Sequence, residues 1–356
     1  MKNDMLRGTT LGCLTSLALL ACGRNTAPSA DLPKAAVDAS PVVAPEATAD
    51  AAAAWSPPLP PGAATCAVDG DAGAAGLSCF EFVSASDAFR WVLGYDPAIV
   101  AIGEAHAQKG TEEVASATKR FTDAMLPALE GRASDLLVEA WAGDPRCQKE
   151  VKQVASAQAP VRQAQAESNP NEYVALGTRA KAIGIQPHLL RPSCDDYAGL
   201  ADAGADVISA SLDLIKRLTQ ADVTALYKRN LAGDGKLVVT YGGAMHNDLS
   251  PSEKLEGYSF GPELFTLSGG RYVELDLIPP EYVKETDVWQ KLPWFSAWQA
   301  RKASPATRDK VTLYRLAAPL GGKDCRRTGC APTDHAFVLV FAGASAGEDK
   351  QGRSKK

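Results

Sequence analysis

Short runs of hydrophobic residues recur along the chain, separated by longer stretches in which polar and apolar residues mix. Short runs rich in Val, Ile and Leu are typical of buried strands. They predict strands at Ile99–Ile102, Asp135–Trp141, Ile183–Leu190, Lys236–Gly242, Tyr272–Ile278, Val311–Leu316 and Ala336–Phe341.

The stretches between these runs have the length and composition of helices. Helices are predicted at Ser84–Leu93, Thr111–Glu130, 205–218 and 220–231, and region 148–182 is helical in composition but broken at Pro160 and Pro170. Strands that alternate with helices favour parallel pairing. The sequence therefore predicts an α/β fold: a mainly parallel central sheet with helices on both faces, arranged as a three-layer sandwich.

The first residues look like a bacterial lipoprotein signal peptide and are excluded from the fold. Lys2 and Arg7 supply positive charge, Leu11–Leu20 is a short apolar core, and a small residue precedes Cys22. We expect residues 1–21 to be removed and Cys22 to carry lipid such as palmitate. Gly23 is typical of sorting to the outer membrane, so the predicted location is the bacterial cell envelope. An ordinary secretory peptide with an incidental cysteine is the alternative.

The remaining chain divides into a tether, a domain and a tail. Residues 22–62 are rich in Ala, Pro, Asp and Ser, and offer too little apolar surface to offset the entropy of folding. We therefore expect a disordered tether, followed by a single α/β domain over 63–345 and a disordered tail over 346–356.

Composition narrows the classes of partner. The chain has 356 residues, 46% of them hydrophobic, which allows a full-sized core, and a formal net charge of -5. That charge argues against nucleic acid as a partner, because nucleic-acid binding usually needs a concentrated basic face. The expected partners are a membrane, through the lipid, and a small-molecule or peptide substrate.

Export changes the meaning of the cysteines, because disulfides persist in oxidising compartments. The short spacings predict the bridges Cys66–Cys79 and Cys325–Cys330, which leaves Cys147–Cys194 to clamp the loops that follow two predicted strands. Other connectivities stay open. A thiolate metal site is the rival interpretation, and it is disfavoured because no two of these cysteines have the CxxC spacing.

Polar side chains with catalytic potential follow three of the predicted strands. Gly103-Glu-Ala-His106 ends the first strand, Glu139 lies near the end of the second, and Gly243-Ala-Met-His246 follows the fourth. The carboxyl ends of parallel strands lie along one edge of a sheet, where ligand sites form. We therefore expect Glu104, His106, Glu139 and His246 to converge there, as a divalent metal ion or a general acid–base pair requires.

Paired Gly-x-x-His motifs, the first in the form Gly-Glu-x-His, resemble a known superfamily. It contains the erythromycin esterases, the Tiki-type metalloproteases and the ChaN-like haem-binding lipoproteins. The resemblance spans roughly residues 95–345 but is confined to motifs. It implies that Glu104, His106, Glu139 and His246 are active-site residues or ligands. Asp334–Val340 resembles the group's closing strand, which makes His335 structural.

Two functions compete on this evidence. In the first, a His/Glu pair or a divalent ion of unknown identity, held by His106, Glu139 and His246, activates water against an ester, lactone or amide. His106 would be the general base or metal ligand, and Glu104 would orient it. In the second, the pocket binds haem or a metal for uptake, with Tyr241 as a candidate axial ligand.

A third possibility is an inactive member that serves only as a binding or scaffold protein, and retention of both histidines and both acids argues against it. The sequence has no Gly-x-Ser-x-Gly elbow, P-loop or dinucleotide fingerprint, which disfavours a serine hydrolase or a nucleotide enzyme. We favour the hydrolase. His188, inside a predicted strand, is expected to be a hydrogen-bonded core residue.

Overall fold

In the part of the chain that the structure describes, nine strands form one sheet, and six of them make a parallel core. The computed structural model describes residues 56–68, 77–304, 307, 309–316 and 335–343. The strands are β1 Ala64–Cys66, β2 Leu77–Phe82, β3 Ile99–Glu104, β4 Ala133–Trp141, β5 Gln186–Leu190, β6 Leu237–Gly243, β7 Tyr272–Ile278, β8 Val311–Leu316 and β9 Ala336–Val340.

The strand order is β1-β2-β8-β9-β7-β3-β6-β4-β5. Every pair from β9 across to β5 is parallel, whereas β8, β2 and β1 continue the other side of the sheet in antiparallel pairs. The mainly parallel sheet predicted from the alternation of strands and helices is confirmed. The antiparallel extension through β1 and β2 was not predicted.

Helices cover both faces of the sheet, which gives the predicted three layers. The α-helices are α1 Ala85–Leu93, α2 Ala117–Arg120, α3 Gln148–Ala157, α4 Ala159–Ala164, α5 Asn169–Ala182, α6 Cys194–Asp202, α7 Val207–Ala232, α8 Gly261–Leu267, α9 Asp287–Gln290 and α10 Phe295–Lys302. Helix α2 runs on through a π-turn at Phe121–Met125 and a 3₁₀ turn at Leu126–Leu129.

Alternation along the strands divides the core between the two faces. On one face Val100 and Ile102 pack with α1, the segment from α2 to Leu129, and α5. On the other face Ile99 and Ala101 pack with α7 and α8. The central strands are thus buried on both sides, as parallel strands generally are.

Two helix boundaries differ from the prediction. The helix expected from Thr111 begins at Ala117, because the Ser116 hydroxyl accepts the Lys119 amide hydrogen and caps it. Thr111 instead donates its hydroxyl to the Gln108 carbonyl in the preceding loop. The two helices expected at 205–218 and 220–231 are one continuous helix, α7.

Both predicted disulfides that fall in the described residues are present, Cys66–Cys79 and Cys147–Cys194. The first joins paired positions of β1 and β2, and the second links the turn after β4 to the start of α6. Cys325, Cys330, the signal segment with Cys22, and the tail 346–356 lie outside the described residues.

Part of the predicted tether packs on the domain. Trp91 donates its indole N–H to the Pro57 carbonyl over 2.9 Å, and Leu59 packs against the hydrophobic core. The domain therefore includes the chain from Ser56, several residues before the predicted start at 63. Within the described residues, no helix is long and apolar enough to cross a bilayer.

Candidate active site

The carboxyl ends of β3, β4 and β6 meet at one rim of the sheet. In the parallel register, Glu104 at the end of β3 is level with Gly243 of β6. Val138 of β4 is level with Tyr241, so Glu139 follows at the height of Gly242. The register therefore brings the two Gly-x-x-His motifs and the strand-end glutamate together, as the sequence predicted.

Glu104 is a buried carboxylate surrounded by hydrogen-bond donors. Its Oε1 accepts from the Tyr173 hydroxyl over 3.0 Å and from His106 Nδ1 over 2.9 Å. Its Oε2 accepts from the hydroxyls of Thr118 over 2.9 Å and Tyr241 over 3.1 Å. Burial alone would raise the pKa of Glu104, but the bond and charge of His106 and the neighbouring hydroxyls outweigh it and lower that pKa. Glu104 is therefore held as a carboxylate.

His106 is the exposed member of this pair. Its side chain is 25% exposed, whereas that of Glu104 is 2% exposed. Burial lowers the pKa of His106, yet the hydrogen bond and charge of Glu104, with a contribution from the Glu139 charge, raise it to about 9. The imidazole thus carries a proton at neutral pH, and since Nδ1 is bound to Glu104, Nε2 is the nitrogen left to act on a substrate.

Tyr173 is a site residue that the sequence analysis missed. Its hydroxyl lies 3.1 Å from His106 Nδ1 as well as 3.0 Å from Glu104 Oε1. Burial and the charges of Glu104 and Glu139 raise its pKa well above 10, so the hydroxyl keeps its proton. It comes from α5, in the polar region 148–182, where nothing in the pattern singles out one tyrosine.

Contacts at the start of α5, just before Tyr173, hold this helix against the rim. Asn169 donates its amide to the Ala107 carbonyl over 3.1 Å, and the Ser116 hydroxyl donates to the Glu172 carboxylate. Both bonds tie the start of α5 to the loop that carries the first motif. The helix therefore helps to fix the Glu104–His106 geometry.

Glu139 and His246 form the other half of the site. Glu139 Oε2 accepts the Gly243 amide hydrogen over 2.7 Å, and its Oε1 lies 3.9 Å from His246 Nε2. His246 Nδ1 donates to the Tyr258 carbonyl over 2.8 Å. Because Nδ1 carries the hydrogen, the lone pair of a neutral His246 lies on Nε2, which faces Glu139.

The two halves surround the space above Gly243. A Cβ atom placed on that glycine would lie 3.5 Å from His106 Nε2, 3.7 Å from Glu139 Oε2 and 3.7 Å from His246 Cδ2. A small pocket opens beside it, lined by Ile102, Leu137, Glu139, Thr219, Thr240, Tyr241, Gly242, Gly243, His246, Asn247 and Phe260. One small reacting group could thus contact both histidines and Glu139.

The predicted metal ligands are close but do not form a tight cluster. Among the described residues, the group whose three donor atoms lie within 4.8 Å of one another is Asp144, Cys147 and Cys194, not His106, Glu139 and His246. The sulfurs of Cys147 and Cys194 are joined in a disulfide and so are not thiolates. His106 Nδ1 is also committed to Glu104, which leaves Nε2 as its only ligand atom.

Tyr241, the candidate haem ligand, faces the core. It is 1% exposed, its ring packs on Phe121 and Tyr173, and its hydroxyl donates to Glu104. Burial, with the charge of Glu104, raises its pKa well above 10. To bind haem iron it would have to leave Glu104 and lose its proton, so the geometry favours a supporting role under the carboxylate.

The segment after His246 is bound to the neighbouring strand β7. Asn247 donates its amide to Asp276 Oδ1 over 3.0 Å and to the Ala101 carbonyl over 3.2 Å. The Leu249 amide hydrogen goes to Glu274 Oε2 over 2.6 Å. Gly103 leaves room for this packing, because a Cβ there would lie 2.4 Å from Asp276 Oδ1. The second motif is thereby held against the sheet.

The remaining histidines lie outside the site. His188 Nε2 bonds to Asp135 over 2.7 Å, which confirms the expected hydrogen bond, but its side chain is 29% exposed on the edge strand β5 and therefore does not lie in the core. His335 Nδ1 donates to the Gly270 carbonyl over 3.0 Å, before the start of β9, which is a structural contact at the far end of the sheet.

No protein-family model matches the chain, and no curated protein matches it at a significant level. Two solved structures are distantly similar. The type III effector HopBA1 is 13% identical, with a TM-score of 0.31 over 55% of this chain and 85% of the effector. A Bacillus cereus protein is 12% identical, with a TM-score of 0.32 over 69% of this chain and 88% of its own. Similarity at this level carries no conclusion about function.

Proposed function

We propose that the protein is a hydrolase of ester, lactone or amide bonds that uses two histidines, one on each side of the space above Gly243. The observation that carries the proposal is the Glu104–His106 pair, 2.9 Å apart, with His106 Nε2, Glu139 and His246 all within 3.7 Å of the Cβ position on Gly243. A carboxylate that fixes one imidazole nitrogen so that the other can transfer a proton is a recurrent catalytic arrangement.

The raised pKa favours His106 as the proton donor rather than the general base considered from the sequence. As an imidazolium, it would stabilise the negative charge that develops on the carbonyl oxygen and then protonate the leaving group. His246, fixed by its bond to the Tyr258 carbonyl, would accept a proton from water at Nε2. Glu139, 3.9 Å from that nitrogen, would stabilise the charge gained.

The step balances without another reactant. Water oxygen forms a bond to the carbonyl carbon while its proton passes to His246. Collapse of the tetrahedral intermediate breaks the bond to the leaving group, which takes the proton of His106. The products are a carboxylic acid and an alcohol or amine, and a proton returned from His246 to His106 through water restores the enzyme.

Substitution of each histidine tests the assignment. His106→Gln and His246→Gln are each expected to lower kcat/KM for a p-nitrophenyl ester by at least about 100-fold, the usual contribution of general acid–base groups. His335→Gln is the matched control, because Nδ1 of that imidazole donates to the Gly270 carbonyl, far from the rim. Circular dichroism and thermal unfolding should be near wild type. Full activity in either site variant would reject the proposal.

A metal-assisted version of the same reaction is the second candidate. Its support is that His106 Nε2 and Glu139 Oε2 lie 3.5 Å and 3.7 Å from one point above Gly243, and His106 would have to give up its proton to bind the ion. Nε2 of each histidine and one oxygen of Glu139 would hold the ion, which would polarise the carbonyl. Metal analysis of purified protein by plasma mass spectrometry, with activity measured after chelation and after Zn²⁺ or Mn²⁺ is returned, separates the two versions.

We further propose that the domain acts at the cell envelope, anchored through lipid on Cys22. The support is the signal pattern ending in Ala21-Cys22 and the disulfides of the domain, which persist in oxidising compartments. Mass spectrometry of the mature N-terminal peptide should find a lipid-modified cysteine. In Cys22→Ser the protein should leave the membrane fraction, and an unmodified N-terminus in the wild type would contradict the anchor.

A further inference from the structure

We propose that the pocket beside Glu139 and His246 is a nucleophile site that holds a single water molecule and excludes larger nucleophiles, so that the acyl group passes to water and not to a small alcohol. The proposal rests on the hydrolase function above and deepens it, because it identifies where the attacking water binds and which residues place it. Three features of the pocket support it: its size, the gap between its two reactive side chains, and its unpartnered hydroxyls.

The pocket is the size of one water molecule. Its volume is about 10 Å³, which is close to the least space that a buried water requires. It lies on the side of the sheet that is covered by α7 and α8, and Leu137, Glu139, Thr240 and Thr219 are among the residues that line it. Closely packed walls do not expand easily. A nucleophile with one carbon more than water therefore does not fit unless a side chain moves.

The gap between Glu139 and His246 has a width that a bridging water can fill. Glu139 Oε1 lies 3.9 Å from His246 Nε2, which is too far for a direct hydrogen bond. Polar atoms at such a separation are often joined through a water. Both are acceptors, because His246 Nδ1 donates its hydrogen to the Tyr258 carbonyl and leaves the lone pair on Nε2. One water could therefore donate a hydrogen to each.

Two buried threonines can supply a donor to the oxygen of this water. Thr219 and Thr240 are each 4% exposed, and both line the pocket. Within the described part of the chain, neither hydroxyl is bonded to another residue. A buried hydroxyl without a partner costs free energy, and a water in the pocket would remove that cost. One such donor would fix the water and leave its second lone pair free to attack the carbonyl carbon.

A site of this size determines which nucleophile reacts. When water attacks, its oxygen forms the bond to the carbonyl carbon, its proton passes to His246 Nε2, and the leaving group departs with the proton of His106. Methanol could react in the same way and would give a methyl ester, but its methyl group needs space that the pocket lacks. A packed pocket discriminates against one additional carbon by about 10–200-fold.

Competition between water and methanol tests the site. The purified full-length protein is given a p-nitrophenyl ester in aqueous methanol, and the initial rates of formation of the acid and of the methyl ester are measured by chromatography. Rates without protein are subtracted. Per mole of each nucleophile, we expect the wild type to prefer water over methanol by at least about tenfold.

Two substitutions at Thr219 separate the size of the site from its hydrogen bond. Thr219→Ser removes one methyl group and keeps the hydroxyl, so methanol should enter and the preference for water should fall about tenfold or more. Thr219→Val keeps the volume and removes the hydroxyl, so kcat should fall while KM and the preference for water stay within about twofold of wild type. Thr224→Ser and Thr224→Val are the matched controls, because Thr224 is on the same helix but outside the lining of the pocket. Both should behave as the wild type does.

A high-resolution crystal structure provides a readout that needs no turnover. It should show one ordered water in contact with Glu139 Oε1 and His246 Nε2. Ester hydrolysis in which methanol competes freely, a preference unchanged in Thr219→Ser, or no ordered water between these two atoms would each overturn the site and leave the hydrolase intact. An ordered water there in a protein that hydrolyses no ester would instead reject the proposed function, and with it the role of this water as the nucleophile.

Discussion

A single hydrogen-bonded pair, Glu104 and His106, sets the proton chemistry of the rim. Four donors hold the carboxylate ionised, and the carboxylate in turn holds the proton on the imidazole. Tyr173 shares the same oxygen, so it fixes the position of Glu104 without supplying a charge. At the scale of single residues, the proposed function depends on whether Glu104 is ionised and His106 protonated.

The pH dependence of the proposed ester hydrolysis follows from the Glu104–His106 pair. Because the pKa of His106 is raised to about 9, its donor form is complete at neutral pH and is lost as the pH rises through about 9. We therefore expect kcat for ester hydrolysis to fall on the alkaline side with a midpoint near that value. Initial rates between pH 6 and pH 10 measure it, and a rate that rises through pH 9 would show that His106 acts as a base.

The pH profile of the Glu104→Gln variant distinguishes an electrostatic role of Glu104 from a purely structural one. The amide keeps the shape of the carboxylate but removes its charge, so the pKa of His106 should fall and the alkaline limb should shift to lower pH. A reduced rate with the limb unmoved would mean that Glu104 only maintains packing.

The sequence identified some residues of the site and not others, for a physical reason. Glu104, His106, Glu139 and His246 follow strands, and a strand end has a predictable location in a parallel sheet. Tyr173 and Thr118 reach the site from helices. The location of a polar residue on a helix cannot be predicted in this way, because the direction of its side chain depends on how the helix packs against the sheet.

At the scale of the element, strand β7 acts as the support of the second motif. Its side chains at Glu274 and Asp276 bond the segment that follows His246; Glu274 is buried and Asp276 is partly buried. Burial, with the charge of Asp248 nearby, raises the pKa of Asp276 to about 7 although the bond from Asn247 opposes this. The strand thus holds acids that are protonated more readily in the folded than in the unfolded protein.

The stability of the domain should reflect this raised pKa. A carboxyl whose folded pKa lies above its unfolded value of 3.8 stabilises the fold at low pH, and that share is lost as the pH rises through about 7. The free energy of unfolding of the wild type relative to Asp276→Asn should therefore decrease between pH 4 and pH 8. Urea unfolding at several pH values measures it.

Asp135 on β4 has a lowered pKa, so its contribution to stability should change with pH in the opposite direction to that of Asp276. It serves as the matched comparison. Burial would raise the pKa of its carboxyl, but bonds from Arg229, Ser134 and His188 lower it to about 2. Its share of stability is present above pH 3.8 and lost as the pH falls through about 2. Asp135→Asn should therefore cost more at pH 7 than at pH 3. Equal pH slopes for the two variants would contradict both assignments.

At the scale of the whole molecule, the parallel half of the sheet could be read from the sequence and the antiparallel half only in part. Strands β3, β4, β6 and β7 are apolar runs between helices, which pattern alone detects, and β5 is the end of the longer run Ile183–Leu190. Strand β1 is three residues, Ala-Thr-Cys, and β2 contains Ser78 and Glu81, so neither forms an apolar run. Their pairing depends on contacts with β8 that lie far along the chain.

The Cys147–Cys194 bridge ties the turn after β4 to the start of α6, with a sequence separation of 47 between its two cysteines. A cross-link of that span is expected to stabilise a domain by about 2–4 kcal/mol. The double variant Cys147→Ser/Cys194→Ser should lose that amount in urea unfolding, and dithiothreitol should have little further effect at this bridge. Because this bridge closes a longer loop than Cys66–Cys79, its removal should cost more stability than removal of Cys66–Cys79. A smaller loss would contradict that expectation.

The Cys147–Cys194 disulfide also affects the stage at which a newly made chain reaches its final structure. The loops it joins follow β4 and β5 at the same rim as Glu139, and cytoplasmic thiols are kept reduced. If the protein is exported as proposed, a newly made chain lacks this disulfide until it reaches an oxidising compartment, and oxidation is the last step of its maturation. Recombinant protein made in a reducing cytoplasm should then lack this disulfide and be less rigid around the candidate site than protein recovered from the periplasm.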